Sequence, residues 1–490
     1  MLTLTLLLFS IITCIILLFL REHPQSSAKF MEDDSVEIDI PKTGLEGQSI
    51  IVVGGGISGL SASKYLLEAG AEVTLLEQRH IVGGNNDPYL DKGKHYATTV
   101  IITYPSQQPH YLNLCRELGI SQTPHDFSNL EGEIILKDRN LKIKMGAGFW
   151  TFMKYCYKQC TIKELIDGLR ILALFYYQFK FKPESKKSIK DVLGERLSQS
   201  SAFTHVFMPW IGINTWCRFD DISTQPAHIF GAFIFEYALA LHTRKKDYKR
   251  GENGWCVLDG RLIHRLEDFL LKNPNYKQKL TSKVNSVVRK NKKILVEIDE
   301  NIELECDKVI FATQPFQALP IIKNVAHSEL INELKKWPKM DCYVILHKDL
   351  RQIKKMPWIH QTHTHKKTEK YYITNTIKPI MSDLDFDCAI TFVYNTDNYN
   401  DFVLNHIDQT KIIKVYEPKL PVFTLENSIN RNKVWEEIDK KSKDVYWTHA
   451  CKSGIQYHNN GILNSKKLVK TLIETVLCEN NIENMNRGIK

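Results

Sequence analysis

"IIVVGGGISGLSASKYLLEAGAEVTLLEQRHIVGG", residues 50–84, opens on a β-branched run suited to a strand buried on both faces. Glycines follow at the first, third and sixth positions of Gly54-Gly55-Gly56-Ile57-Ser58-Gly59. Gly54 allows a tight turn, Gly56 lets backbone approach a pyrophosphate, and Gly59 lets the next helix pack on the strand. The N-terminus of that helix, at Ile57 and Ser58, turns its free amides toward an anion. Leu60, Tyr65 and Leu66 fit its buried face and Gly70 ends it. "AEVTLLE" is then a second strand that delivers Glu77, 21 residues after Gly56, where an acid accepts ribose hydroxyls. Strand, turn, helix, strand and acid in this order predict a Rossmann-type dinucleotide site. Glu77 would repel a 2′-phosphate and disfavours NADP, leaving NAD and FAD.

Gly83-Gly84 stands six and seven residues beyond Glu77. With Leu60 after the third glycine and "LLEQRHIVGG" after the second strand, the layout resembles the flavin-dependent amine oxidase and phytoene desaturase superfamily. Several later segments are similar to that superfamily too: "LDKGKHY" (90–96), "SIKDVLGERLSQSSAFTHVFMPWI" (188–211), "GWCVLDGRLIHRLEDFL" (254–270), "CDKVIFATQP" (306–315) and "VYWTHACKSGIQYHNNGILNSKKLVKTLIE" (445–474). Within it, "VILHKDLRQIKKMPW" and "YHNNGILNS" resemble predicted FAD/NAD-binding proteins related to a domain fused to plant cyclopropane fatty-acid synthases. The resemblance implies FAD, held by Gly54, Gly56, Ile57, Ser58, Gly59, Glu77, Gln78 and Arg79, with Gly83 and Gly84 near the flavin side. It implies Val284 against adenine, and a last helix starting at Gly461 and Ile462 that meets the flavin pyrimidine ring. Four departures rearrange the pattern: Ile81 where an Arg is usual, Asn85 where a basic residue is frequent, Ala450-Cys451 for Gly-Asp, and His458-Asn459-Asn460-Gly461 for His-Glu-Asp-Gly.

The layout of the chain agrees with FAD. An NAD domain is contiguous, whereas here a second apolar strand (Lys308–Thr313) and a terminal strand and helix lie far from the first unit. The fold class expected is α/β: a discontinuous Rossmann-type FAD-binding domain, an inserted α+β substrate domain and one N-terminal transmembrane helix. By residue number, 1–20 is the anchor, 21–47 a linker, 48–105, 251–320 and 441–490 the FAD-binding parts, and 106–250 and 321–440 the substrate parts. "MLTLTLLLFSIITCIILLFL" (1–20) carries no charge over 20 residues, about the length that crosses a bilayer core. Lacking a basic n-region, it reads as an uncleaved anchor, although "SSA" (26–28) also offers a cleavage site. Arg21 and Lys29 put positive charge on its C-terminal flank, and eleven cysteines without a framework favour reduced thiols. Both place the body in the cytosol.

The net charge of +9 comes from scattered Lys pairs with no basic stripe, so nucleic acid is not an expected partner. "HQTHTH" puts His360, His363 and His365 together without an acid or cysteine and beside Lys366-Lys367, so a solvated loop is expected there and no metal site. Cys156 and Cys160 read as packing residues. No nucleophile stands out. His458, just before the expected flavin-facing turn, is the one general-base candidate, and a purely hydrogen-bonding His explains it as well. Residues 149–183 are dense in aromatics and aliphatics with interspersed Lys; core packing accounts for this, as would a bilayer-facing cap or apolar tunnel. The expected chemistry is hydride removal from an amine or an unsaturated lipid-like small molecule to FAD, reoxidised by oxygen or a quinone. A flavin-dependent double-bond isomerase or desaturase and a non-catalytic FAD-binding protein are the alternatives.

Overall fold

A computed structural model describes residues 37–488, apart from 87, 97, 99–101, 104–107, 122, 125–130, 136–139, 145–153, 155–156, 183–185, 209–210, 213–218, 233–255, 258–259, 300–301, 352–358, 366–369, 377–385, 394–406, 429–430 and 454–456. Its centre is a five-stranded, wholly parallel sheet. Strands β1 (Ser49–Val53), β2 (Glu72–Leu76), β3 (Tyr276–Lys279), β4 (Lys308–Phe311) and β5 (Val445–Trp447) lie in the order β3-β2-β1-β4-β5. A helix, α1 (Ile57–Glu68), crosses from β1 to β2. The apolar run of β1 is buried on both faces: Ile50 and Val52 point into one core, Ile51 and Val53 into the other. Tyr446 and Trp447 of β5 split between the same two cores.

On one face the sheet is covered by α1, the helices Pro109–Glu117 and Leu262–Leu271, and the long C-terminal helix His458–Gly488. On the other lie the antiparallel meander Val284–Cys306 and the helices Pro315–Ile322, Ser328–Lys335 and Arg431–Lys441. Each fully buried Leu, Ile or Val in these layers is worth about 1.5–3 kcal/mol over an exposed one. A second, seven-stranded sheet runs in the order 412–416, 343–347, 389–393, 370–376, 359–365, 131–135, 140–144. It packs against helices that include α2 (Ile162–Phe181), through Ile171, Phe175, Phe230, Val344 and Phe392.

Several expectations change. The loop expected at His360, His363 and His365 is a strand, Ile359–His365, paired on both edges. The alternating β-branched and polar residues of "IHQTHTH" suit a strand, a pattern outweighed in the sequence by the histidines. The linker expected at 21–47 is not free at its end, since Leu45 is fully buried and Ile40 packs against the same core. Helix Pro109–Glu117, placed by sequence in the substrate region, buries Tyr111, Leu114 and Cys115 against the parallel-sheet domain, which therefore runs past residue 105. Residues 1–20 and Cys156 lie outside the described residues, and no helix among the described residues is long and apolar enough to cross a membrane. Cys306, Cys342, Cys451 and Cys478 are free thiols.

Candidate dinucleotide site

Ligands in open α/β sheets bind beyond the C-terminal ends of the strands. Here all five parallel strands deliver residues to one cleft of about 640 Å³. Strand β1 gives Gly54 and Gly56, β2 gives Glu77, Gln78 and Arg79, β3 leads to Ser282–Asn285, β4 to Ala312, Thr313 and Gln314, and β5 to His449 and Ala450. Backbone bonds beyond the strands hold these ends in register. Gly54 N–H donates to Leu76 O (2.8 Å), Ala312 N–H to Val53 O (2.8 Å), Thr448 N–H to Phe311 O (2.9 Å) and Ser282 N–H to Glu77 O (2.9 Å).

Glycines shape the floor. A Cβ on Gly59 would stand 1.9 Å from Gly54 O, so the start of α1 closes on the turn only with glycine there. Gly84, at φ +59°, brings its Cα against Gly56, where a Cβ would come within 3.0 Å. Gly83 N–H donates to Gly55 O (2.8 Å), which ties the second glycine pair to the first. Gly56 caps α1 with no side-chain acceptor, and the first turn holds no acid, so its amides are left for an anion.

Glu77 does more than await a ribose. Its Oε2 accepts from Gly55 N–H (2.7 Å) and its Oε1 from Arg79 N–H (2.9 Å), bracing the glycine turn against the end of β2. A carboxylate has about four lone-pair sites, so acceptor capacity for a sugar hydroxyl remains.

The far wall is set by β5 and the C-terminal helix. Lys452 Nζ donates to both carboxylate oxygens of Asp439 at 2.8 Å, beneath Trp435 and Trp447, whose ring centroids lie 5.0 and 5.8 Å away. Burial pushes the Asp439 carboxyl up and the Lys452 ammonium down. Asn464 Nδ2 donates to His449 O (2.9 Å). Together these groups fix the turn at Ala450 from behind. His449 Nδ1 accepts from Cys451 N–H (3.2 Å), so the neutral ring carries its proton on Nε2. Burial lowers both His449 and His458 to about 4.

Of the residues expected from sequence, Gly54, Gly56, Ile57, Ser58, Glu77, Gln78, Arg79, Gly83, Gly84, Val284 and His458 line this cleft. Three do not. Gly59 acts underneath, as above. Gly461 sits in the first turn of the C-terminal helix, which begins at His458, and packs on α1: a Cβ there would meet Ser58 Oγ at 2.9 Å. Ile462 is fully buried in the core. A helix presents only one side to a cleft, and here His458 takes that side, with Tyr457 just before the helix. Sequence reading missed Lys283, Thr313, Gln314, His449 and Tyr457; for Thr313, Gln314 and His449 the available signal was their place just past the apolar strands β4 and β5, and Lys283 and Tyr457 carried no such signal. Thr313 Oγ1 and Gln314 Oε1 are buried without a hydrogen-bond partner and belong to residues lining the cleft. Such atoms, the uncapped helix and the glycine floor fit the diphosphate and polar edges of FAD.

Residues 57–340 match the family model for flavin containing amine oxidoreductase. A 15-cis-phytoene desaturase of Narcissus pseudonarcissus is 40% identical over 100 residues, 20% of this chain and 16% of that protein. Amine oxidase [flavin-containing] A of Canis lupus familiaris is 38% identical over 81 residues, 16% of this chain and 15% of that protein. The chain thus matches only about a sixth of the length of these curated relatives. Two solved structures share the fold over most of both chains. Cyclohexylamine oxidase from Brevibacterium oxydans has TM-score 0.59 and 12% identity, covering 87% of this chain and 99% of its own. A CLA-producing fatty acid isomerase from P. acnes has TM-score 0.57 and 14% identity, covering 88% and 99%.

Proposed function

Since the chain belongs to the flavin containing amine oxidoreductase family, we propose that it is an FAD-dependent oxidoreductase whose cofactor lies in the cleft beyond the parallel sheet. The observation that carries this reading is the convergence of five strand ends, an uncapped helix N-terminus and the Gly56–Gly84 contact on one cavity. FAD, when bound, supplies two-electron oxidation by accepting a hydride from a substrate C–H. The first-turn amides of α1 hold the diphosphate, Glu77 accepts from the ribose, and Val284 covers the adenine side. His449 and His458, both kept neutral by burial, offer hydrogen bonds at the other end, and His458 is the group placed to accept a proton. The substrate is an amine or an unsaturated lipid-like compound, and oxygen or a membrane quinone takes the electrons away. The uncharged stretch 1–20 anchors the protein, with its body on the cytosolic side.

The test is the absorption spectrum of the purified protein, followed by cofactor extraction and anaerobic mixing with amine and lipid panels. Flavin that bleaches with one of these compounds supports oxidation; a colourless protein that refuses added FAD refutes the assignment. Like folds include both an amine oxidase and a fatty acid isomerase, so double-bond isomerisation is the second reading, and turnover without any electron acceptor identifies it. FAD that no compound bleaches or turns over marks a binding protein.

A further inference from the structure

Helix α2 is apolar on the side it turns away from the core. Its buried positions are Asp167, Ile171, Phe175 and Gln178, one face of a 3.6-residue period. The exposed positions are Ile162, Lys163, Arg170, Ala173, Tyr177 and Phe181, four of the six uncharged and three of them large and apolar or aromatic. Ile162 is 57% exposed, Tyr177 47% and Phe181 56%, and Tyr157 just before the helix is 67% exposed. The rings of Tyr177 and Phe181 sit 5.7 Å apart. At 1.5 Å per residue the stripe runs for about 28 Å along the surface. A helix on a water-facing surface would place polar side chains there.

The surrounding charge says what covers it. Residues 157–187 hold seven basic side chains against three acidic ones. Of the acids, Asp167 is buried against Arg196 at 2.6 Å, and Glu164 closes the capping box by accepting from Thr161 N–H at 2.7 Å. Lys158, Lys163, Lys182 and Lys186 are exposed around the stripe. Long lysine stems lie along apolar matter while their ammonium groups reach phosphate, and tyrosine favours the same boundary.

We propose that α2 docks side-on to an anionic lipid bilayer, with Tyr157, Ile162, Tyr177 and Phe181 entering the headgroup–acyl boundary and the lysines meeting lipid phosphate. This surface is separate from the dinucleotide cleft, and the proposal stands whatever cofactor the cleft holds.

Hydroxyl-radical footprinting of the full chain on vesicles tests it, comparing phosphatidylcholine alone with a phosphatidylcholine–phosphatidylglycerol mixture. Residues 1–20 are present in both arms, so any anchoring by them is common to both. Each basic residue near an anionic surface gains about fivefold in partition, so Tyr157, Tyr177 and Phe181 should be labelled at least about threefold less on the mixed vesicles. Phe269 and Leu477, exposed elsewhere, should label equally in both. Tyr177→Glu with Phe181→Glu should restore labelling of Tyr157. Equal labelling of the stripe in both arms overturns the proposal. So does protection that follows protein concentration rather than lipid charge, which would mean a second copy covers this face.

Discussion

Glu77→Ala separates a carboxylate that only contacts a nucleotide from one that builds the site. In the structure Glu77 is buried and both its oxygens are occupied by backbone donors, Gly55 N–H at 2.7 Å and Arg79 N–H at 2.9 Å. Alanine leaves both amides without an acceptor. An unsatisfied buried donor costs about 1–3 kcal/mol; the Arg79 bond is only partly buried, so about 2–4 kcal/mol is expected for the pair. That loss belongs to the apo protein, before any ribose contact is counted. The assay is urea unfolding of the FAD-free protein, with hydrogen exchange at the Gly55 amide as the local probe. The expected results are a lower midpoint and exchange at Gly55 faster by at least about tenfold, the equivalent of 1.4 kcal/mol. FAD retention should fall further still. If the apo variant keeps the wild-type midpoint and Gly55 stays protected while FAD binding drops, the bracing role is wrong and Glu77 acts on the nucleotide alone.

Three further outcomes follow from the same wall-by-wall geometry. Thr313→Val replaces a buried hydroxyl that has no partner; the apo protein should gain about 1 kcal/mol while FAD binds more weakly, and a titration showing unchanged FAD affinity would take the hydroxyl out of the site. Lys452→Met leaves Asp439 buried without its cation and should cost about 3–5 kcal/mol. Adding Asp439→Leu should return most of that in calorimetry; no recovery in the double variant would show that the pair itself is not what matters. The third concerns pH. His449 and His458 are lowered to about 4 by burial, so between pH 6.5 and 4 the unfolded chain binds protons that the folded chain refuses. Their contribution is complete above about pH 6.5 and is lost as pH falls toward 4, by up to about 3 kcal/mol for each ring. Urea midpoints across that window should decline, and His449→Asn should make the decline shallower; an equally steep profile in the variant removes His449 from the account.

How much could be read in advance depended on how local the cause was. The turn at Gly54–Gly59, the acid at Glu77 and the helix end at Gly70 are each fixed within a few residues by strand length, helix start and glycine conformation. They are legible because no distant segment has to arrive for them to form. Gly461 and Ile462 do not line the cleft, for the opposite reason. The resemblance located the right helix, yet which of its residues face the cleft depends on its rotation against α1, where Ser465 Oγ donates to Ser58 O at 2.8 Å. The histidines of "HQTHTH" looked like a cluster because of their composition, and the strand is revealed by partners at 131–135 and 370–376.

The sequence by itself determined that a strand, a glycine turn and a helix would present amides and an acid to a dinucleotide, because these are short-range consequences of residue type. Only the tertiary structure decided that Thr313, His449 and Tyr457 share that cleft, and that one side of α2 faces outward with its aromatics bare. The first of these placements requires β1 to pair with Lys308–Phe311, and that strand in turn with Val445–Trp447; the second requires α2 to pack through Ile171 and Phe175 on the seven-stranded sheet. Contacts between segments hundreds of residues apart are selected by the burial of both sheet faces at once, an energy that no single stretch of chain contains.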